Sequence, residues 1–141
     1  MLNFIRSFPT LVIPVAIYNL LIGATSADAS GAENVLARSL GSIPMPATET
    51  NWTIHTADLI MLVGLVALFF EVIGSGRSSN GVLVKHVLNM LLFVVCLIEF
   101  LLLRPFATSS FFLLLVLSLM ATVSGFVIST VTARKDIEFA H

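Results

Sequence analysis

One stretch of the chain, residues 82–104, constrains the fold most, because it is apolar over the length of a membrane span and still carries polar side chains. In a helix, each residue is rotated by 100° from the one before, so residues three or four positions apart lie on the same side. Five residues of this segment form such a stripe. The stripe consists of Lys85, Asn89, Leu92, Cys96 and Glu99. Ionisable groups at membrane depth usually face protein or water, so this segment is predicted to pack against other helices.

Three further apolar segments can supply those helices. The chain is 57% hydrophobic and 11% charged, which is the composition of a polytopic membrane protein. We therefore predict an all-α integral membrane fold, in which four transmembrane helices form an antiparallel up-down bundle within a single membrane domain, residues 1–141. The predicted spans are residues 8–24, 54–73, 82–103 and 106–131, with an extracytoplasmic connection at 25–53 and a cytoplasmic tail at 132–141.

The first segment allows two interpretations. Its length and the small residues of Ala27-x-Ala29 match a secretory signal peptide, whose removal would leave three helices. Pro14, Tyr18 and Asn19 interrupt the apolar core and favour a retained transmembrane helix instead. In that helix, Asn19 is expected to donate a hydrogen bond to a neighbouring helix.

The connection 25–53 is predicted to contain a short amphipathic helix lying in the membrane interface. Ser30 and Glu33 have the spacing of a capping box, and Gly41 stands where such a helix would end. The two prolines within residues 43–46 indicate an extended return toward the membrane. Trp52 precedes the second span and is expected at head-group level.

The second and third spans are predicted to form an antiparallel hairpin. Gly64 and Ala67 belong to a small-residue surface of the second span, which we expect to pack against the polar stripe of the third. Counting from the centre of the turn brings Glu71 level with Lys85, which predicts an ion pair, with His86 as a second possible partner for the carboxylate. Alternatively, both charged side chains extend separately to the head groups.

The fourth span carries a second packing surface, formed by Ser118, Thr122 and Gly125. Hydroxyl groups inside a helix can bond to the carbonyls of their own helix, so this surface is interpreted as helix packing rather than as a polar pathway. The span of residues 106–131 contains no charge and is about 39 Å long at 1.5 Å per residue, so it is expected to tilt or to extend into the interface.

Basic residues predict the orientation of the bundle. With both termini in the cytoplasm of a bacterium, most basic side chains lie inside or at the inner surface of the inner (plasma) membrane, as the positive-inside rule requires. The inside residues are Arg6, Arg77, Lys85, Arg134 and Lys135, and the outside residues are Arg38 and Arg104.

The sequence gives no sign of catalysis. His55 and His86 are predicted near opposite membrane surfaces, so they cannot share a metal or haem within one chain. Cys96 is the one cysteine, which excludes a Cys-x-x-Cys redox centre. We predict no enzyme activity, no catalytic residue, no cofactor and no metal site. The net charge of −1 gives no indication of a nucleic-acid partner.

Two functional hypotheses remain. In the first, the chain is an accessory, scaffolding or assembly subunit whose partners are the lipid bilayer and another membrane protein or a second copy of itself. The alternative is a small oligomeric proton-coupled transporter or channel that uses Glu99 or Glu71 as its coupling group. Glu99 and Asp58 are expected at similar depth, which is the observation that motivates the alternative.

Overall fold

The computed structural model describes residues 8–74 and 80–139, which contain five α-helices and one two-stranded sheet. Arg6 and Arg77, on which the predicted orientation partly depends, lie outside these residues. In chain order the elements are α1 (Val12–Thr25), α2 (Ala29–Leu36), β1 (Ser39–Met45), β2 (Thr50–His55), α3 (Thr56–Gly74), α4 (Asn80–Leu102) and α5 (Ser109–Phe139). A short 3₁₀ turn, Arg104–Phe106, links α4 to α5.

Three of the described helices, α3, α4 and α5, are long and apolar enough to cross a membrane. A fourth span exists if α1 and α2 are taken together, because this pair passes the same test but is bent by 119° at the break between them. The 14 residues of α1 alone extend about 21 Å, which is less than the hydrocarbon thickness. The chain thus has the helices of a multi-pass membrane protein.

The predicted continuous helix over residues 8–24 is wrong at its start, for a reason that involves proline. The structure begins α1 at Val12, after a turn in which the Val12 N–H donates to the Pro9 carbonyl. Pro14 consequently lies in the first turn of α1, where an N–H has no intrahelical acceptor and its absence costs little. The proline therefore sets the beginning of the helix instead of interrupting it.

A short helix is present in the predicted connection as α2, but it begins differently and ends at Leu36, because Gly41 lies in β1. Asp28 is its N-cap, and the Asp28 Oδ1 atom accepts a 2.8 Å hydrogen bond from the Gly31 N–H. Ser30, the predicted cap, lies inside the helix and donates its hydroxyl to Asp28 Oδ1. A carboxylate is a strong acceptor at a helix start, which explains why Asp28 caps in place of the downstream serine.

Sequence reasoning predicted the extended stretch at residues 43–46 but not its pairing. Strands β1 and β2 form an antiparallel hairpin in which Ile43 is opposite Trp52. The base of the hairpin is closed by Thr56, whose backbone N–H and hydroxyl both donate to the Arg38 carbonyl. Strand β2 then runs directly into α3, so the hairpin is anchored at the end of a membrane-length helix.

Helix α5 forms the centre of the helical core. Within the apolar windows of the three long helices, 39% of the residues in α5 are buried, against 22% in α3 and 17% in α4. The prediction that the small-residue surface of α3 packs against α4 is met only at the end of that surface, where Glu71 pairs with Lys85. Most of the surface packs on α1 and α5 instead. Gly64 shows the reason, since a Cβ atom there would lie 3.0 Å from Leu117 Cδ1 of α5.

The carboxyl-terminal segment also differs from its prediction. Helix α5 continues to Phe139, so residues 132–139 of the predicted tail are helical. Its 31 residues span about 46 Å, which is more than the roughly 30 Å of a bilayer core. The last turns of α5 must therefore extend beyond the hydrocarbon or the helix must tilt.

Candidate functional site

A buried carboxylate in the last turn and a half of α3 is the centre of a polar cluster. Glu71 has 0% exposure. Its Oε1 atom lies 3.2 Å from Lys85 Nζ and accepts a 2.7 Å hydrogen bond from Asn89 Nδ2. Its Oε2 atom accepts a 2.9 Å bond from the Thr10 N–H, and the Thr10 hydroxyl also donates to it. We call Thr10, Glu71, Lys85 and Asn89 the Glu71 cluster.

Local geometry explains how two separate segments reach the carboxylate of α3. Lys85 and Asn89 are four residues apart on α4 and therefore lie on the same side of that helix. Gly74 leaves room for the lysine, because a Cβ atom at this position would lie 2.9 Å from Lys85 Nζ. Thr10 stands in the turn before α1, where its N–H lies outside the helix and is free to donate to Glu71.

The predicted pairing of Glu71 with Lys85 is present in the structure. The Lys85 side chain is only 9% exposed, so it does not extend to the head groups as the alternative interpretation required. Asn89, which the sequence placed on the same stripe, joins the pair. Thr10 was missed, because a threonine at the beginning of an apolar segment carries no pattern that distinguishes a partner of a distant carboxylate from a solvent-facing residue.

A second polar contact links α1 to α4. Asn19 Nδ2 donates a 3.2 Å hydrogen bond to Glu99 Oε2 and a 3.1 Å bond to the Val15 carbonyl of its own helix. Asn19 is therefore the interhelical donor that the sequence predicted. Cys96, one turn before Glu99, is fully buried as a free thiol. Lys85, Asn89 and Cys96 of the polar stripe are thus buried against protein, whereas Leu92 and Glu99 are half-buried.

His86 lies against α5 and not against Glu71. A Cβ atom at Gly125 would overlap His86 Nδ1, so the ring occupies the space that the glycine leaves open. Both ring nitrogens of His86, and the Oδ1 atom of Asn89, are buried and have no hydrogen-bond partner in the described part of the chain. The predicted second contact of Glu71 with His86 is therefore not formed.

The other predicted surface of α5 consists of hydroxyls that bond within their helix. Ser118 Oγ donates to the Leu115 carbonyl at 2.7 Å, and Thr122 Oγ1 donates to the Ser118 carbonyl at 2.9 Å. Because these hydroxyls are satisfied locally, they present a compact surface to their neighbours. Gly125 belongs to the same region and receives the ring of His86.

At the predicted outer end, an open depression of about 340 Å³ lies between α2, the start of α3 and the start of α5. Its polar lining includes Glu33, His55 and Asp58. Asp58 accepts a 2.8 Å bond from the His55 N–H and lies 3.3 Å from His55 Nδ1, so it caps the start of α3. Across the described residues, no group of three or more metal-ligating side chains occurs.

These features are those of a helical multi-pass membrane protein, in which Glu71, Lys85 and Asn89 contact one another inside the helical core. Comparison of the chain with protein-family models, with curated proteins and with solved structures gives no match. The functional argument therefore rests on the chemistry of the site itself.

Proposed function

We propose that this chain is a non-enzymatic, multi-pass protein of the bacterial inner membrane that acts as an accessory, scaffolding or assembly subunit, within a larger membrane complex or a homo-oligomer. The observation that carries the proposal is the occupation of both oxygens of the buried Glu71 carboxylate. A coupling carboxylate in a transporter has to meet water or its cargo during the cycle. Glu71 is instead enclosed by an ammonium group and by donors from two other segments.

The arrangement of the Glu71 cluster supports a role in holding helices together. It connects the segment before α1 with the end of α3 and the beginning of α4, and Thr10 is 61 residues away from Glu71 in the sequence. Removal of one member of a buried ion pair typically costs about 3–5 kcal/mol, because the remaining charge keeps its desolvation penalty. A cluster of this kind favours one packing of the helices, which is what a scaffold requires.

The exterior of the long helices is suited to contact with lipid or with another apolar helix. Large hydrophobic side chains are exposed along α3, α4 and α5, including Leu62, Phe69, Leu83, Leu101 and Phe126. Lipid chains cover such surfaces in a monomer, and another transmembrane helix covers part of them in a complex. Charge bias along the chain favours cytoplasmic termini, which would put the Glu71 cluster near the inner surface.

Proton-coupled transport by an oligomer is the second candidate, and one observation favours it. Buried polar atoms without partners lie on α4, namely Asn89 Oδ1 next to Glu71 and both His86 nitrogens against α5. Such atoms are costly in a membrane, and they commonly mark routes for protons or ions. In this mechanism Glu71 would exchange its proton through these atoms, and Glu99 is the second carboxylate that could take part.

A reconstitution experiment separates the two candidates. The purified full-length chain is placed in liposomes that contain a pH-sensitive dye, and proton and monovalent-cation fluxes are recorded under an imposed pH gradient. In parallel, native mass measurement in mild detergent gives the size of the extracted species. The variants are Glu71→Gln and Glu99→Gln, and the control is Glu49→Gln, which removes a carboxylate from the exposed hairpin turn.

The subunit proposal expects no flux above that of empty liposomes and a discrete species heavier than the 15.2 kDa monomer. A flux that Glu71→Gln or Glu99→Gln abolishes, and that Glu49→Gln leaves intact, would overturn it in favour of transport. A strictly monomeric species in every mild detergent, with no flux, would overturn it as well.

A further inference from the structure

The β1–β2 hairpin has one apolar face and one polar face. Residues opposite each other in an antiparallel pair share a face, and successive residues alternate between faces. Ile43 is opposite Trp52, Met45 is opposite Thr50 and Gly41 is opposite Ile54. We define Ile43, Met45, Trp52 and Ile54 as the apolar face. The other face pairs Ser42 with Thr53 and Pro44 with Asn51.

Most of the apolar face is uncovered within the described chain. Ile43 is 47% exposed, Met45 is 43% exposed and Trp52 is 51% exposed, whereas Ile54 at the base is half-buried. The principal contact of the hairpin with the helices is at this base, where β2 meets α3. An isolated two-stranded hairpin is marginally stable in water, so an external surface that covers the apolar face would stabilise it.

The position of the hairpin relative to α3 identifies that surface. The 19 residues of α3 extend about 28 Å, close to the thickness of the bilayer core, so Thr56 lies near the edge of the hydrocarbon. Trp52 is four residues away and stays within about 13 Å of that edge. The head-group layer is only about 5–8 Å thick on each side. An upright hairpin would carry Trp52 past this layer, whereas a hairpin lying along the surface keeps it inside.

We propose that the hairpin Ser39–His55 is an interfacial lipid-binding element that lies on the outer surface of the bilayer, with its apolar face inserted among the phospholipid head groups. The hairpin and α3 meet the same membrane surface, because β2 runs into α3 without a break. Tryptophan favours this layer, because its ring is apolar and its N–H can donate a hydrogen bond.

The charge of the hairpin specifies the kind of lipid contact. Between Ser39 and His55 the sequence has no lysine or arginine, and its one carboxylate is Glu49 in the turn. The hairpin itself therefore has no basic side chain to attract anionic lipid, and Arg38 lies just before β1 at its base. The contact rests on apolar burial and on the tryptophan, so it is expected on zwitterionic phosphatidylcholine as well as on anionic membranes.

Trp52 provides a direct test, because it is the only tryptophan in the chain. The full-length protein is reconstituted in phosphatidylcholine vesicles, and its fluorescence is quenched either by aqueous acrylamide or by lipids brominated near the head group or near the chain end. Lipid brominated near the head group should quench most strongly, and acrylamide quenching should be roughly half of that for the protein unfolded in denaturant. In vesicles with added phosphatidylglycerol, the quenching pattern should place Trp52 at the same depth as in phosphatidylcholine alone.

Paired substitutions distinguish the apolar face from the hairpin as a whole. Ile43→Ser with Met45→Ser should shift the Trp52 emission to the red and raise acrylamide quenching. Asn51→Ser with Thr53→Ser on the opposite face should change neither quantity. Helix content by circular dichroism confirms that each variant is folded before it is compared.

Two results would overturn the proposal. One is free access of acrylamide to Trp52 in vesicles together with no quenching by either bromolipid, which would leave the face available to a protein partner. The other is protection of Trp52 only when anionic lipid is present. The test does not depend on whether the chain is a subunit or a transporter, so its outcome is independent of the flux measurement.

Discussion

Replacement of Lys85 by methionine tests whether the Glu71 cluster holds the helices together. The substitution keeps an unbranched apolar stem of similar length and removes the ammonium group, which lies 3.2 Å from Glu71 Oε1. Two unit charges at this separation interact by about 5 kcal/mol at an effective dielectric constant near 20. Asn89 and Thr10 continue to donate to the carboxylate. We therefore expect Lys85→Met to destabilise the fold by about 3 kcal/mol, at the lower end of the range for broken buried pairs.

The companion variants should follow an asymmetric pattern. Glu71→Gln leaves Lys85 without its counterion, but Lys85 is close to the start of α4 and can extend toward the head groups, so a cost of only about 1 kcal/mol is expected. The double variant Glu71→Gln, Lys85→Met leaves no buried charge and should be more stable than Lys85→Met alone. The coupling free energy of the pair is the sum of the two single destabilisations minus that of the double variant, and it is expected to be about 2 kcal/mol.

Unfolding by SDS in mixed micelles, followed by the circular dichroism of the helices, measures these free energies. Arg134→Met is the matched control, because Arg134 is an exposed basic side chain at the same end of the bundle and its loss removes one positive charge there as well. Its expected effect is within about 0.5 kcal/mol. The reasoning is refuted if Lys85→Met is as stable as the control, or if the two single effects simply add in the double variant.

Three further predictions concern other contacts. Gly125→Ala should destabilise the helical core by about 1–3 kcal/mol in the same assay, because its Cβ would overlap the His86 ring; His86→Ala should relieve the effect, and Gly23→Ala, whose Cβ has ordinary contacts, should be neutral. Asp28→Ala should accelerate hydrogen exchange of the Gly31 amide at neutral pH, whereas Asp28→Asn should not. Hydrogen bonds to Asp28 hold the pKa of its carboxyl below the ordinary value of 3.8, so the cap is complete above that value and weakens as the pH falls through the lowered one. Removal of residues 1–29 would take away the Thr10 donor of Glu71, so amino-terminal sequencing of the membrane-extracted chain should find α1 retained, and a mature chain that begins after residue 29 would contradict this.

Periodicity and register were sufficient for those parts of the structure that local rules determine. The spacing of Lys85, Asn89 and Cys96 fixes their common side on any helix, and the structure buries all three. Counting outward from a short polar turn is equally local, which is why it placed Glu71 opposite Lys85. The same rules located both ends of α3 and α4, and the beginning of α5, to within a few residues. They did not locate the end of α5.

Other features depend on tertiary contacts that the sequence pattern does not predict. The segment 39–55 contains two prolines and several small polar residues, which suit both an irregular loop and a twisted hairpin. Its strand pairing becomes favourable once Thr56 closes the base against the Arg38 carbonyl. Similarly, α3 and α4 each offered a packing surface to the other. The helix at the centre is the one whose side chains fit the surface of α3, here Leu114 and Leu117 over Gly64. This fit depends on tertiary packing and cannot be read from the sequence pattern.

The position of α5 leads to a conclusion about where a partner can bind. Because α5 occupies the centre, α4 contributes its polar side to the core and leaves most of its apolar residues uncovered, including Leu83, Val87, Met90, Leu91 and Leu102. A helix surface that carries no polar group loses little when it binds a second apolar helix, because no polar group has to be desolvated. The surface of α4 away from the Glu71 cluster is therefore where we expect a subunit partner to pack. Substitution of Met90 or Leu91 by tryptophan should disrupt the assembly without changing the stability of the single chain, and an unchanged native mass would argue against this surface.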